Sequence, residues 1–150
     1  MWYRQDTDQH RLAQMEPKCV NITQQIIKAF YAVYNALGYG FLEKVYENAM
    51  LIELRRLGLA VISQAGIDVY YGDAHIGQYS ADLLVNDQVL VELKAARALL
   101  PEHEAQLLNY LKATPYEVGL LLNFGPKPQI MRKVYDNERK GSMTWLRPER

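Results

Sequence analysis

The feature of this sequence that most limits its fold is a nearly continuous apolar run from Val118 to Phe124. A run of this length, closed by Gly125-Pro126, is typical of a β-strand that is buried on both faces of its sheet. Such a strand needs other elements packed on each side of it. The chain has 150 residues, the size of one ordinary domain, so one sheet with its covering helices accounts for most of the sequence.

Apolar residues at helical spacing predict three helices, and short apolar segments bounded by turn residues predict the other strands. Asn21 followed by Gln24 resembles a capping box at the start of the first helix. Gly58 is expected to follow the second helix as its C′ residue. Helices are predicted at about 21–37, 42–57 and 102–113, and strands at 60–64, 67–71, 78–85, 88–94, 118–124 and 129–135. This order predicts an α/β fold in which a mixed sheet is flanked by helices.

Composition divides the chain into three segments. Residues 1–20 are polar and irregular, and we expect them to form a flexible N-terminal arm. Residues 21–136 hold the predicted elements and form the domain, and residues 137–150 form a basic C-terminal tail. The basic residues of 126–150 are interleaved with Tyr135 and Trp145, a pattern that suits contact with a nucleic-acid strand. Two of them, Arg132 and Lys133, can equally keep an edge strand soluble.

Several classes of protein are excluded by composition. The single cysteine, Cys19, excludes an internal disulfide, a four-cysteine zinc site and a cysteine-ligated iron–sulfur cluster. No apolar run approaches the ~18 residues of a membrane span, so we expect no membrane partner. The N-terminus carries acidic residues and no apolar block, unlike a signal peptide, so a cytoplasmic location is expected.

The formal net charge is zero, which taken alone argues against a uniformly basic nucleic-acid binder. This net charge is the sum of segments of opposite sign, because residues 39–125 carry a net charge of −5 and residues 126–150 a net charge of +4. Excess carboxylates can form a solvated face, and they are also what a divalent-metal site needs. A cationic tail can serve solubility or meet phosphates.

The central predicted hairpin places charged residues within apolar strands. Side chains alternate along a strand, so Glu92 and Lys94 share one face. If the loop comprises Asn86–Gln88, Asp82 lies directly opposite Glu92, whereas a two-residue loop turns Asp82 to the other face. A divalent cation between the two carboxylates would remove their repulsion and take both as oxygen ligands. The alternative is a surface hairpin in which Lys94 bridges one of the two acids.

The spacing of these residues resembles a known signature. Nine residues separate Asp82 from Glu92, and one residue separates Glu92 from Lys94. This spacing is similar to the motif of the PD-(D/E)XK nuclease superfamily. Ala81 stands where the leading proline of that motif would be. The resemblance implies a mixed sheet flanked by helices, which agrees with the order of elements predicted above.

Two further motifs extend the resemblance. Gln106-Leu-Leu-Asn-Tyr110 on the third predicted helix is similar to the QxxxY motif of RecB-type and lambda-exonuclease-like nucleases. Gly40-Phe-Leu-Glu43-Lys-Val-Tyr46 is similar to the motif that names the bacterial GxxExxY family of the same superfamily. Together the similarities span roughly residues 22–135.

The resemblance implies a nuclease that uses Mg²⁺ or Mn²⁺ and carries no iron–sulfur cluster. It implies that Asp82, Glu92 and the backbone carbonyl of Leu93 bind the metal, which would activate a water and stabilise charge on the phosphate. It also implies that Glu43 reaches the metal directly or through water. Lys94 would then lie beside the attacking water and the scissile phosphate.

The same resemblance implies a substrate-binding role for the third helix. Gln106 and Tyr110 are four residues apart, share a helix face and would contact the substrate phosphate. His103 lies one turn earlier and is a further candidate for this cleft. Tyr46 is expected in the core, and Glu47 is expected to be a solvated neighbour of Glu43.

We therefore expect metal-dependent hydrolysis of phosphodiester bonds in nucleic acid, and in DNA rather than RNA. The alternative is a non-catalytic nucleic-acid-binding or assembly module, an accessory subunit built on the same fold. The presence of every expected metal ligand and of Lys94 favours the enzyme. A homo-oligomer or a larger complex is also expected, because so short a chain offers little additional surface for its substrate.

Overall fold

The computed structural model describes residues 18–141, so most of the expected N-terminal arm and basic tail lie outside the described residues. Within this range the chain forms three helices, five strands and one short 3₁₀ helix. The helices are α1 (Val20–Leu37), α2 (Glu43–Arg56) and α3 (Pro101–Lys112), and the 3₁₀ helix is Asn137–Arg139. The strands are β1 (Val61–Tyr71), β2 (Ala74–Val85), β3 (Val89–Lys94), β4 (Val118–Phe124) and β5 (Pro128–Val134). In the described part of the chain, no helix is long and apolar enough to span a bilayer.

All five strands join one mixed sheet in the order β1-β2-β3-β4-β5. β3 and β4 are parallel, and α3 connects them across the sheet, whereas the other neighbouring pairs are antiparallel. Every residue of β4 is buried, as its apolar run predicts, and β5 is an edge strand. The predicted α/β fold is confirmed.

Each face of the sheet is covered by helices, so the core has two layers. Helices α1 and α2 pack on one face, where Phe30, Met50 and Leu54 meet alternate residues of β3 and β4 such as Val91 and Leu122. Helix α3 packs on the other face and buries Leu107 and Leu111 against the remaining residues of those strands. The alternation explains why β4 is apolar throughout, because both of its faces are covered.

Two local predictions were wrong. Helix α1 begins at Val20, with Cys19 as a left-handed N-cap residue and no side-chain cap, so Asn21 lies inside the helix and forms no capping box. The amide of Thr23 donates to the carbonyl of Cys19, which starts the helix earlier than predicted. The strands predicted at 60–64 and 67–71 are one strand, because the intervening Ala65-Gly66 continues the pairing with β2.

Basic residues near the end of the described chain contact the domain itself. The guanidinium of Arg132 donates to the backbone carbonyl of Lys18, and Lys133 forms an ion pair with Glu104. Lys140 is buried, and its ammonium donates to two backbone carbonyls. These contacts favour a structural role for the basic residues that the structure describes.

Candidate active site

The register of the β2–β3 hairpin brings two carboxylates together. Leu84 pairs with Leu90 and Val85 with Val89, so the loop has three residues, as the metal-site hypothesis requires. Asn86 and Asp87 adopt left-handed backbone conformations, with φ of 51° and 53°, which close this tight turn. Continuing the register places Asp82 opposite Glu92.

At this position side-chain oxygens take hydrogen bonds from the opposite strand. The amide of Asp82 donates to Oε1 of Glu92 at 2.8 Å, and the amide of Leu93 donates to Oδ2 of Asp82 at 2.8 Å. Each carboxylate therefore binds a backbone N–H of the strand facing it. The two acids are held side by side at the point where β2 and β3 begin to separate.

Burial and like charge act together on this pair. Glu92 is only 5% exposed, and burial, assisted by the charge of Asp82, raises its pKa to about 8. The nearby charge of Lys94 opposes this shift without cancelling it. Burial also raises the pKa of Asp82, against the hydrogen bond from Leu93. The pair resists carrying two negative charges, which is the condition that a bound cation relieves.

Helix α2 contributes a carboxylate that the sequence analysis misplaced. Glu47 is 4% exposed, and its charge raises the pKa of Asp82, so the prediction that Glu47 is solvated was wrong. Glu43 is exposed in the first turn of α2, and its charge has a smaller effect on Asp82. The spacing of Glu47 from the buried Met50 and Leu54 follows the helical stripe and could have identified it.

Gln64 on β1 links Glu47 to Asp82 and was missed by the sequence analysis. Its amide nitrogen lies 2.5 Å from Oε1 of Glu47 and 3.4 Å from Oδ1 of Asp82, and its oxygen accepts from the hydroxyl of Ser80 at 2.9 Å. Gln64 has φ of 52°, a conformation that is costly for a residue other than glycine. The ammonium of Lys44 holds the other oxygen of Glu47 at 2.5 Å.

The segment after Lys94 is fixed by polar side chains from β4 and β5. Lys94 ends β3 opposite Asn123, which is fully buried. The side chain of Asn123 forms two hydrogen bonds with the backbone of Ala96, at 2.9 and 3.0 Å. Gln129 accepts from Asn123 and from the amide of Leu99. We call these contacts the Asn123 clasp, and they set the path of the chain directly after Lys94.

Helix α3 brings its polar face to the same place. The amide of Gln106 donates to the hydroxyl of Tyr110 at 2.8 Å. Burial raises the pKa of Tyr110, and the charge of Glu92 adds to the effect. His103 accepts through Nδ1 from the amide of Leu100 at 3.1 Å, so this nitrogen caps the start of α3.

The Gly40-to-Tyr46 segment has a clear structural role. The hydroxyl of Tyr46 donates to the carbonyl of Gly38 and accepts from the amide of Phe41, so it closes the loop between α1 and α2. Its ring stacks on Phe124 at 4.2 Å between centroids and is fully buried, which confirms the expected core position. Gly40 has φ of 113°, a value that favours glycine.

Comparison with known proteins places the chain in a family. A family model of the PD-(D/E)XK nuclease superfamily matches residues 20–134, which contain all of the site residues above. The chain belongs to the PD-(D/E)XK nuclease superfamily. No curated protein matches the sequence.

Two solved structures resemble the chain at low sequence identity. That of SSO0001 superposes with a TM-score of 0.50 at 16% identity, over 62% of this chain and 50% of that one. The present chain thus spans half the length of that protein, and at this identity the likeness concerns the fold alone. An alkaline exonuclease from Laribacter hongkongensis superposes with a TM-score of 0.46 at 13% identity, over 85% of this chain and 76% of that one.

Nucleases of the PD-(D/E)XK superfamily typically use divalent metal ions, and the donors present here fit such an ion. Asp82, Glu92 and the carbonyl of Leu93 offer oxygen atoms only, which are the ligands that Mg²⁺ prefers together with water. Within residues 18–141, no three His, Cys, Asp or Glu side chains are grouped closely enough to hold a metal by themselves. Backbone and water oxygens would therefore complete the coordination.

Proposed function

We propose that this chain is a metal-dependent nuclease that hydrolyses phosphodiester bonds of DNA with Mg²⁺ or Mn²⁺. The observation that carries the proposal is the pairing of half-buried Asp82 with buried Glu92, with Lys94 two residues further along the strand of Glu92. The similarity to the GxxExxY family and to the QxxxY motif supports the same assignment. The direct test is the release of fragments from labelled single- and double-stranded DNA, with RNA as the competing substrate, in each metal.

Each proposed role follows from the chemistry of the side chain. Asp82 and Glu92, with the carbonyl of Leu93, would hold the metal, which when bound supplies an activated water and neutralises charge on the phosphate. The ammonium of Lys94 would hold the attacking oxygen and offset the growing negative charge. The hydroxyl of Tyr110 accepts from Gln106, so its own proton is available for a phosphate oxygen. Glu43 would reach the metal directly or through water, and Gln106 and His103 would contact the substrate.

The proposed metal site predicts stabilisation by the ion alone. Excess Mn²⁺ is expected to raise the melting temperature, because a ligand at one hundred times its Kd adds about 2.7 kcal/mol and each kcal/mol is worth roughly 2–4 °C. Asp82→Asn should abolish the increase, since it removes a charged oxygen ligand while keeping the size of the side chain. Asp68→Asn, an exposed change elsewhere on the sheet, is the matched control. An equal rise in the Asp82→Asn variant would contradict the assignment.

The two glutamates of α2 are expected to differ. Glu47→Gln should reduce activity by roughly 10- to 100-fold, the usual loss when a group that orients a metal ligand is changed. Glu43→Gln should cost less, because Glu43 is exposed. Glu53→Gln, on the same helix and paired with Arg56, is the control for changes in helix charge. Initial cleavage rates check this order, and a larger loss from Glu43→Gln would assign the helix carboxylate to that residue instead.

A second candidate function is a non-catalytic nucleic-acid-binding or assembly module. It is favoured by the hydrogen bonds that Asp82 and Glu92 already make to the sheet backbone, which give both acids a structural role. Such a module would bind nucleic acid without cleaving it and would show no effect of Mn²⁺ on its melting temperature. As an accessory subunit or homo-oligomer, it would also have a larger mass in solution than the 17.3 kDa chain.

A further inference from the structure

A groove runs between the β1–β2 hairpin and helix α3, next to the candidate active site. Its volume is about 700 Å³, within the range of pockets that hold small organic ligands. Gln106 and Tyr110 belong both to this groove and to the proposed catalytic site. The hairpin contributes Val69 and Tyr79, and the remainder of the lining comes from α3 and the residue after it.

Tyr79 is the aromatic wall of the groove. It is 52% exposed, although it lies three residues before Asp82, and its ring centroid is 5.8 Å from that of Tyr110. The ring packs over Gly77, where a Cβ would lie 3.2 Å from its Cε2 atom. Gly77 therefore gives the ring room to lie against the strand, while about half of the side chain remains available for contact.

The remaining lining suits a nucleobase better than a phosphate. Gln106 and Asn109 carry amides, which both donate and accept hydrogen bonds, as base edges do. The charged residues of the lining, Glu102 and Lys112, have opposite signs and leave no excess of cations. A phosphate-binding groove needs such an excess, whereas stacking of a base needs an exposed aromatic ring.

The shape of the site also selects between paired and unpaired bases. Within a duplex both faces of a base are covered by its stacked neighbours, so away from the duplex ends a side chain can stack only on a base that is unpaired or extruded. The groove, at about 700 Å³, has room for a nucleotide but is too small to enclose a double helix. An occupant stacked on Tyr79 would leave its sugar and phosphate close to Gln106 and Tyr110.

We propose that this groove binds an unpaired nucleotide of the substrate strand, with its base stacked on Tyr79 and its edge against the amides of Gln106 and Asn109. The inference rests on the proposed function and narrows it, because it names single-stranded nucleic acid as the substrate class. The strand would then run from the groove past Tyr110 to the Asp82–Glu92 pair.

Binding without metal tests this inference separately from cleavage. The full chain is titrated in EDTA against a fluorescent 15-nucleotide single strand, and against the same strand annealed into a blunt duplex, with anisotropy as the readout. Tyr79→Ala is expected to weaken single-strand binding about 5- to 150-fold, the factor that corresponds to one stacked base. Tyr79→Phe keeps the ring and should bind like the wild type.

Two further variants make the result specific. Tyr71→Ala removes a more exposed ring of the same hairpin that does not line the groove, and it should leave binding unchanged. Asn109→Ala, an exposed change on α3, should also weaken binding to the single strand. Wild-type protein that prefers the duplex, or equal losses in Tyr79→Ala and Tyr71→Ala, would overturn the proposal. Because this binding assay contains no metal, its result does not depend on cleavage. A chain that binds single strands in EDTA but never cleaves them when metal is added would contradict the proposed nuclease activity and leave this inference standing.

Discussion

Lys94→Ala is expected to reduce DNA cleavage by about 10²- to 10³-fold, the loss typical of removing one preorganised group that stabilises charge in the transition state. Lys94 is half-buried at the end of β3, and its charge acts on Glu92. Removing that charge should therefore lower the cleavage rate more than it lowers the free energy of unfolding. Initial cleavage rates with Mg²⁺ or Mn²⁺ measure the effect, and the melting temperature of the variant should equal that of the wild type.

Glu92→Gln is the companion variant for this experiment. The amide oxygen of glutamine can still accept the hydrogen bond from the amide of Asp82, so the change removes the carboxylate that a metal would bind and keeps the contact. A loss at least as large as that of Lys94→Ala is expected. Lys28→Ala, an exposed change on α1, is the control for a lost surface cation. Full activity in both site variants would show that the reaction does not use this constellation.

Gly125→Ala is expected to damage both stability and activity. The added Cβ would lie 2.2 Å from the carbonyl oxygen of Ala96 and 2.9 Å from the amide nitrogen of Asn123. The Asn123 clasp holds that carbonyl in place, so the backbone cannot move away from the new methyl group without losing hydrogen bonds. Overpacking of this kind costs about 1–3 kcal/mol or more, and any shift would move the segment that follows Lys94.

Gly119→Ala is the matched control for this prediction, because it adds the same methyl group near the start of β4, whereas Gly125 directly follows the end of that strand. There the new Cβ would lie 2.7 Å from Cδ1 of Leu107 and 3.1 Å from its Cγ, so the clash is with a core side chain and not with a clasped backbone carbonyl at 2.2 Å. Chemical denaturation should therefore show the larger loss for Gly125→Ala, with cleavage lost in that variant. Equal destabilisation of the two variants would mean that the clasp is not rigid.

The order of elements and the core of the site could be predicted because both depend on local patterns. Side-chain alternation put Glu92 and Lys94 on one strand face, and the loop length then set Asp82 opposite Glu92. Helical spacing put Gln106 and Tyr110 together in the same way, and their hydrogen bond agrees with it. Short-range geometry determines each of these relations.

The residues that sequence analysis missed depend on tertiary contacts. Helical spacing places Glu47 on the buried stripe of α2 with Met50 and Leu54, but its contacts depend on how that helix packs on the sheet, as Tyr46 does on Phe124. Gln64 adopts its left-handed conformation within a long strand, where no local preference of glutamine predicts it. Its contacts reach across from β1 to α2 and β2, and they exist only once the sheet and helix have assembled.

The buried Lys140 has a consequence for how the domain can be handled. Its ammonium binds the carbonyls of Thr114 and Tyr116, and Lys18 pairs with Glu117, so both ends of the described chain attach to the connection that enters β4. Asn123 lies at the opposite end of that strand, about 20 Å away for six steps of extended chain. A fluorophore or affinity tag attached to this connection would therefore lie at the end of β4 remote from the carboxylates, which suits surface immobilisation and single-molecule assays.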